Sequence, residues 1–169
     1  MGFGQEYQKQ GIKEFYNSIG VDYHNPHNAD IVKLIKSIYE PNLRYLDLAA
    51  GDGIVSQTLL ELGCTQIEGC EPFLTDTYIK KTKLNCLNYS FEDIAKGKMQ
   101  KQFDVIICSY AMHLVNISYL PNLLYQLSLN SEKLIILTPH KRPDINNFWK
   151  LSSFKISGKT KMKIYLRTI

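Results

Sequence analysis

The stretch from Leu43 to Leu62 narrows the fold more than any other. Leu43–Leu48 reads as a strand buried on both faces. It breaks into Ala49-Ala50-Gly51-Asp52-Gly53. Val55, Leu59 and Leu62 then recur on one helix face, with Gly63 placed to end that helix. A buried strand that turns through small residues into a helix is the opening unit of a parallel sheet covered by helices.

The pattern repeats downstream. Strands are predicted at Gln66–Cys70, Leu84–Tyr89, Phe103–Cys108 and Lys133–Leu137. Helices are predicted at Phe73–Lys81 and at Tyr119–Leu129, with a short turn at Phe91–Ala95 between them. Asn146–Leu151 is assigned to a further helix. Met162–Arg167 alternates strictly and reads as an antiparallel edge strand with one solvated face. The first forty residues look helical. Tyr7, Phe15, Tyr16 and Ile19 mark one segment, and Ile31, Leu34, Ile35 and Ile38 a second, after a cap at Asn28. The expected fold is α/β: a doubly wound, mostly parallel Rossmann-like sheet with helices on both faces and an antiparallel C-terminal edge strand. One domain is expected over 1–169, with residues 1–40 a helical cap and 41–169 the core.

Composition removes several classes. With 44% hydrophobic and 21% charged residues, 10 Gly and 6 Pro, the chain is neither disordered, collagen-like nor a coiled coil. Its longest apolar runs, Val105–Cys108 and Leu134–Leu137, are too short to span a bilayer. No secretory signal opens the chain, so a cytoplasmic protein without membrane partners is expected. Cys64, Cys70, Cys86 and Cys108 form no C-x-x-C pair. His24 and His27 stand three apart without an acidic or thiol neighbour, so no metal site is expected. The net charge of +4 is mild, and Lys80, Lys81 and Lys83, like Lys155, Lys159, Lys161, Lys163 and Arg167, read as solvated faces. No nucleic-acid module signature is visible.

In an open parallel sheet, ligands bind at the carboxyl ends of the strands, first of all at the first strand–helix turn. Small residues at 49, 51 and 53 let the backbone pass close to a ligand, and the next helix offers free N–H groups. Glu71 ends the second strand, 18 residues after Gly53, where an acid accepts hydrogen bonds from ribose hydroxyls. A dinucleotide fingerprint starting at Gly51 would need a third Gly where Ser56 stands, and Asp52 would repel a pyrophosphate. A ligand without phosphate fits the acidic loop better.

These residues resemble the class I S-adenosylmethionine-dependent methyltransferases. Tyr45-Leu46-Asp47-Leu48-Ala49-Ala50-Gly51-Asp52-Gly53 is similar to that family's first motif, and Glu71 to its acid after the second strand. Ser90-Phe91-Glu92-Asp93-Ile94 resembles the adenine-contacting segment. Phe103–Cys108 is similar to the fourth-strand motif, and Ser109-Tyr110-Ala111-Met112-His113-Leu114 to the pattern that follows it in small-molecule enzymes. The resemblance covers about residues 40 to 140.

The resemblance implies S-adenosylmethionine as cofactor and S-adenosylhomocysteine as product. It implies cofactor contacts from Asp47, Ala49, Ala50, Gly51, Gly53, Glu71, Pro72, Ser90, Phe91, Glu92 and Ser109. The family often has an acid where Ser90 stands. The N-terminal helices would bring Tyr16, Tyr23, Asn25 and His27 near the site. With 32 residues after Leu137, the family's closing helix and two strands must be shortened.

Methyl transfer to a small-molecule acceptor is the reaction implied, with His113 the first candidate base and Tyr110, His27 and His140 behind it. His113 is equally readable as an interior histidine. His140, Lys141 and Arg142 close the fifth strand, where two cations fit an anionic acceptor as well as a solvated loop. No Asn/Asp-Pro-Pro-Tyr/Phe stretch follows the fourth strand, which argues against methylation of a nucleobase amine. A protein or nucleic-acid acceptor is the runner-up. A non-catalytic, cofactor-binding partner subunit and a nicotinamide oxidoreductase are the competing classes. A monomer or homodimer is expected.

Overall fold

A computed structural model describes residues 26–169. The segment around Tyr7, Phe15, Tyr16 and Ile19, and the expected contacts of Tyr16, Tyr23 and Asn25, lie outside them. Helix α1 (Asn28–Lys36) buries Ile31, Leu34 and Ile35, with Asp30 in its first turn and Lys33 and Lys36 in its last, as the helix dipole favours. Its N-cap is His27 rather than Asn28, because the helix starts one residue early. Asn28 therefore sits inside the first turn and caps nothing.

Five parallel strands follow: β1 (Tyr45–Leu48), β2 (Ile67–Cys70), β3 (Cys86–Leu87), β4 (Val105–Ser109) and β5 (Lys133–Thr138). Helices α2 (Ile54–Glu61), α3 (Thr75–Thr82), α4 (Phe91–Ala95) and α5 (Leu120–Asn130) alternate with them, and a 3₁₀ turn spans Met112–Leu114. Strands β6 (Trp149–Ser157) and β7 (Thr160–Arg167) form a closing hairpin. The sheet runs β3-β2-β1-β4-β5-β7-β6, with β7 antiparallel to both β5 and β6. Leu48 lies opposite Cys70 on one side and Cys108 on the other, so the small loop after β1 opens between the ends of β2 and β4.

The core has two layers. On one face, α4 and α5 pack with Leu46, Ile106, Cys108, Leu134, Ile136, Trp149 and Tyr165. On the other, α1 and α2 pack with Tyr45, Val105, Ile107, Ile135, Leu137 and Met162. Among the described residues, no helix is long and apolar enough to cross a membrane.

The helix expected over Asn146–Leu151 does not form. Trp149 instead begins β6, and its buried indole Nε1–H donates to the Leu124 carbonyl at 3.0 Å. A large apolar side chain with one donor gains more from that pocket than from a short surface helix. The final strand is antiparallel, as expected, but lies inside the sheet; β6 is the outer strand, with Leu151, Phe154 and Ile156 exposed. The shortened ending keeps both strands and replaces the helix with residues 139–148.

Candidate active site

The loop after β1 is held by two buried carboxylates. Asp47, 1% exposed, accepts from the Ser56 backbone N–H at 3.1 Å and from Ser56 Oγ at 2.7 Å. It thereby caps α2 from outside, where Gly53, the residue at the N-cap position, has no side chain to do so. Ser56 Oγ also bonds Tyr78 Oη at 2.7 Å. Burial pushes the Asp47 carboxyl up to about 7, with the Ser56 bonds opposing. Gly53 has φ +93°, and a Cβ there would lie 2.6 Å from Thr82 Cγ2 and 3.1 Å from the Tyr78 ring. Only glycine lets α3 approach this closely.

Glu71, 2% exposed, ties three backbone donors together. Its Oε2 accepts from Gly51 N–H at 2.8 Å, and its Oε1 from Phe73 N–H at 2.8 Å and Leu74 N–H at 3.1 Å. Burial raises its pKa, and the three N–H donors oppose that rise. Two N–H donors occupy the two lone pairs of Oε1, whereas Oε2 takes one and keeps one acceptor site.

Ser90 starts α4 through a capping box. Its Oγ accepts from Asp93 N–H, and Asp93 Oδ2 accepts from Ser90 N–H, each at 3.1 Å. Lys98, first, and then Ser90 hold the Asp93 carboxyl down at about 2. So Ser90 and Phe91 are both a helix start and, by position, a cavity wall.

That cavity, about 190 Å³, lies at the carboxyl ends of β1 and β2. Ala49, Glu71, Pro72, Ser90, Phe91 and Glu92 line it, joined by Leu48, Phe73, Tyr89, Ala111 and Tyr119, which the sequence reading missed. Its volume is below the roughly 300 Å³ at which drug-sized sites begin, so a larger ligand would extend beyond it. Asp47, Ala50, Gly51, Gly53 and Ser109 do not line it. Ala50 N–H donates to the Cys70 carbonyl at 3.1 Å and Gly53 N–H to the Ala50 carbonyl at 2.9 Å, folding the loop back on itself. Ala49 holds φ +54°, in the left-handed region, which costs a non-glycine residue about 1–3 kcal/mol.

The ends of β4 and β5 carry the other candidates as two separate pairs, Tyr110 with His27 and His113 with His140. Tyr110, at φ +56°, donates or accepts a hydrogen bond with Thr160 Oγ1 at 2.5 Å, and its ring stacks on His27 at 5.3 Å. His113 and His140 face each other with ring centroids 4.3 Å apart. Burial, then His140, pushes His113 down to about 4, so its imidazole is neutral at neutral pH. His113 Nδ1 and Ser109 Oγ are buried without a hydrogen-bond partner among the described residues. No side-chain signal in the sequence marks Tyr78, although its ring also lies where a Cβ on Gly69 would stand.

The fold is that of the S-adenosylmethionine-dependent methyltransferases. No protein-family model matches the chain. A TehB-like SAM-dependent methyltransferase from Corynebacterium glutamicum aligns over 98% of both chains with a TM-score of 0.68 and 12% identity. An O-methyltransferase family protein from Burkholderia thailandensis aligns over 99% of this chain and 64% of its own, with a TM-score of 0.69 and 13% identity. Magnesium protoporphyrin IX methyltransferase from Synechocystis PCC 6803, solved with bound SAM, covers 99% and 98% with a TM-score of 0.62 and 12% identity. In sequence, the chain is similar to an uncharacterised protein of Schizosaccharomyces pombe, 25% identical over 194 residues, spanning 87% of this chain and 78% of that one.

Proposed function

We propose that this chain transfers a methyl group from S-adenosylmethionine to a small-molecule acceptor. The observation that carries the reading is Glu71, which faces the cavity at the end of β2 while gripping the Gly51 N–H of the small-residue loop. The residues present fit such a cofactor. Glu71 Oε2 has one acceptor site left for a ribose hydroxyl, and Tyr89 and Phe91 offer aromatic walls for a planar ring. A Cβ on Gly51 would meet nothing within 4 Å, so the backbone there is open to a ligand.

When bound, S-adenosylmethionine supplies an electrophilic methyl group on a sulfonium, with a neutral thioether as leaving group. The protein therefore has no departing charge to protonate. Its work is to align the acceptor, exclude water and remove a proton where the acceptor carries one. We assign the proton to His113 Nδ1, which is neutral and has no hydrogen-bond partner among the described residues. Tyr110, anchored on Thr160 and stacked with His27, is assigned to align the acceptor, with His140 flanking His113.

Titration calorimetry tests the reading. S-adenosylhomocysteine is expected to bind and NAD not to. Glu71→Ala should weaken S-adenosylhomocysteine binding by roughly 1–3 kcal/mol. Micromolar NAD binding, with none of the adenosyl ligands, overturns the assignment. An acceptor screen read by S-adenosylhomocysteine release then identifies the substrate.

A further inference from the structure

Charge is distributed unevenly along the chain. Residues 139–169 hold eight of the 20 Lys and Arg but only one of the 16 Asp and Glu, Asp144. Three of those cations are occupied. Arg167 pairs with Glu132 at 2.9 Å, Lys155 Nζ donates to the Ser37 carbonyl at 3.3 Å, and Lys163 Nζ donates to the Lys141 carbonyl at 3.0 Å. Lys141, Arg142, Lys159 and Lys161 make no ion pair among the described residues.

The topology places those four at the same end of the sheet. Lys161 lies opposite Thr138, the last residue of β5, and Lys141 and Arg142 follow directly after that strand. Lys159 sits in the turn between β6 and β7. That turn is fixed on both sides. Ser157 Oγ donates to Asp30 Oδ1 at 2.9 Å, and Thr160 Oγ1 bonds Tyr110 Oη. Gly158, at φ +57°, is packed so closely that a Cβ would lie 2.6 Å from Asp30 Oδ2. The loop that carries Lys141 is tied to β7 through Lys163, and its His140 ring rests on His113.

The nearby carboxylates do not cancel this charge. Asp30, which accepts from Ser157 Oγ at 2.9 Å, and Asp144, which acts electrostatically on Tyr165, set two negative charges against the four positive ones and leave the rim net cationic. The carboxylates that shape the loop after β1, Asp47 and Glu71, are buried at the other end of the site. A cationic rim fixed to a scaffold beside unpartnered polar atoms is suited to an anion.

Resting on the methyltransferase reading, we propose that the acceptor is an anion carrying a phosphate or carboxylate group. Lys141, Arg142, Lys159 and Lys161 hold that group at the strand ends, beside the His113–His140 pair. The acceptor's reacting atom then faces His113, while its charge rests on the rim.

The test uses the full chain with inorganic pyrophosphate and citrate as probes, followed by calorimetry at low salt. Saturable binding of at least one probe is expected, weakened tenfold or more by the double substitution Lys159→Ala/Lys161→Ala. The control pair Lys36→Ala/Lys80→Ala should leave it unchanged. Pyrophosphate binding alone points to a phosphate, citrate binding alone to a carboxylate. Absence of saturable binding, or equal binding by the rim and control variants, overturns the proposal. So does a single-stranded oligonucleotide that binds far more tightly than either probe, since it would make the rim a nucleic-acid surface. S-adenosylhomocysteine is titrated into the same samples. If it binds while the probes do not, the rim assignment fails and the methyltransferase reading stands. If it does not bind the wild-type chain, the methyltransferase reading itself fails.

Discussion

Around the ends of β1 and β2, the chain is fixed by carboxylates buried against backbone N–H groups, and the cavity wall is acidic. Around β5, β7 and β6, packed aromatic and aliphatic side chains do the fixing, and the charge left at the surface is basic. Glu71 and Asp47 exemplify the first arrangement: between them they accept from four backbone donors, at Gly51, Ser56, Phe73 and Leu74. Trp149 exemplifies the second, 2% exposed, with its indole Nε1–H donating to the Leu124 carbonyl. The difference teaches which substitutions should act on geometry and which on cohesion. Hydrogen bonds to a carboxylate fix positions and depend on pH, whereas apolar burial is insensitive to both pH and direction.

Trp149→Ala should break the packed half most severely, lowering unfolding free energy by about 3–5 kcal/mol in a denaturant titration. S-adenosylhomocysteine affinity, measured where the variant is still folded, should stay within about twofold. Loss of that affinity along with stability would show that the two halves do not act separately.

His113→Ala sharpens the boundary between them. With a known acceptor, turnover should fall by about 10², the lower end of what a base contributes, because His113 is pushed down to about 4. Cofactor affinity should again hold within about twofold. Unaltered turnover would remove His113 from the chemistry and move attention to His27 or His140.

Asp47→Asn probes the hydrogen-bonded half with the smallest change. Asp47 is pushed up from 3.8 to about 7 by burial, so the fold favours its protonated form. Its contribution to stability is complete below about pH 4 and is lost as pH rises through about 7. Relative to the Asn variant, the wild-type chain should therefore lose about 1 kcal/mol or more between pH 4 and pH 8. Parallel stability curves for the two proteins would show that the carboxyl is not protonated in the fold.

Much of this division is legible in the sequence, and the exceptions have physical causes. The runs around Tyr45–Leu48, Val105–Ser109 and Lys133–Thr138 are buried on both faces and stand out as strands. β6 does not, because its register shifts between Leu151 and Ser153. Trp149 and Leu151 face the side on which Phe154 and Ile156 also stand, and the extra residue destroys the alternation that marks a strand. Of the six residues expected as strand at Leu84–Tyr89, the ladder keeps Cys86 and Leu87, which pair with Gly69 and Cys70 at the end of β2. In the site, the spacing of Glu71 from Gly53 is visible, but its three backbone partners depend on how the chain closes in space. Ser90-x-x-Asp93 carries its capping box openly, yet Ser90 also opens the segment that resembles a ligand contact.

The outer strand has a consequence for how the protein behaves in bulk. Among the described residues, β6 presents nine residues along the outer edge of the sheet, with Leu151, Phe154 and Ile156 respectively 49%, 46% and 59% exposed. An edge of this length is a template on which another copy could extend the sheet, the first step toward precipitation. Lys150 and Lys155 stand on that strand, and residues 145–169 hold no Asp or Glu to offset them. Two such edges approaching each other therefore bring like charges together. That repulsion reaches about 10 Å at 0.1 M salt but only about 3 Å at 1 M. Dispersal of the protein should thus follow ionic strength, strongest in dilute buffer and weakest in brine, as light scattering across a salt series would show.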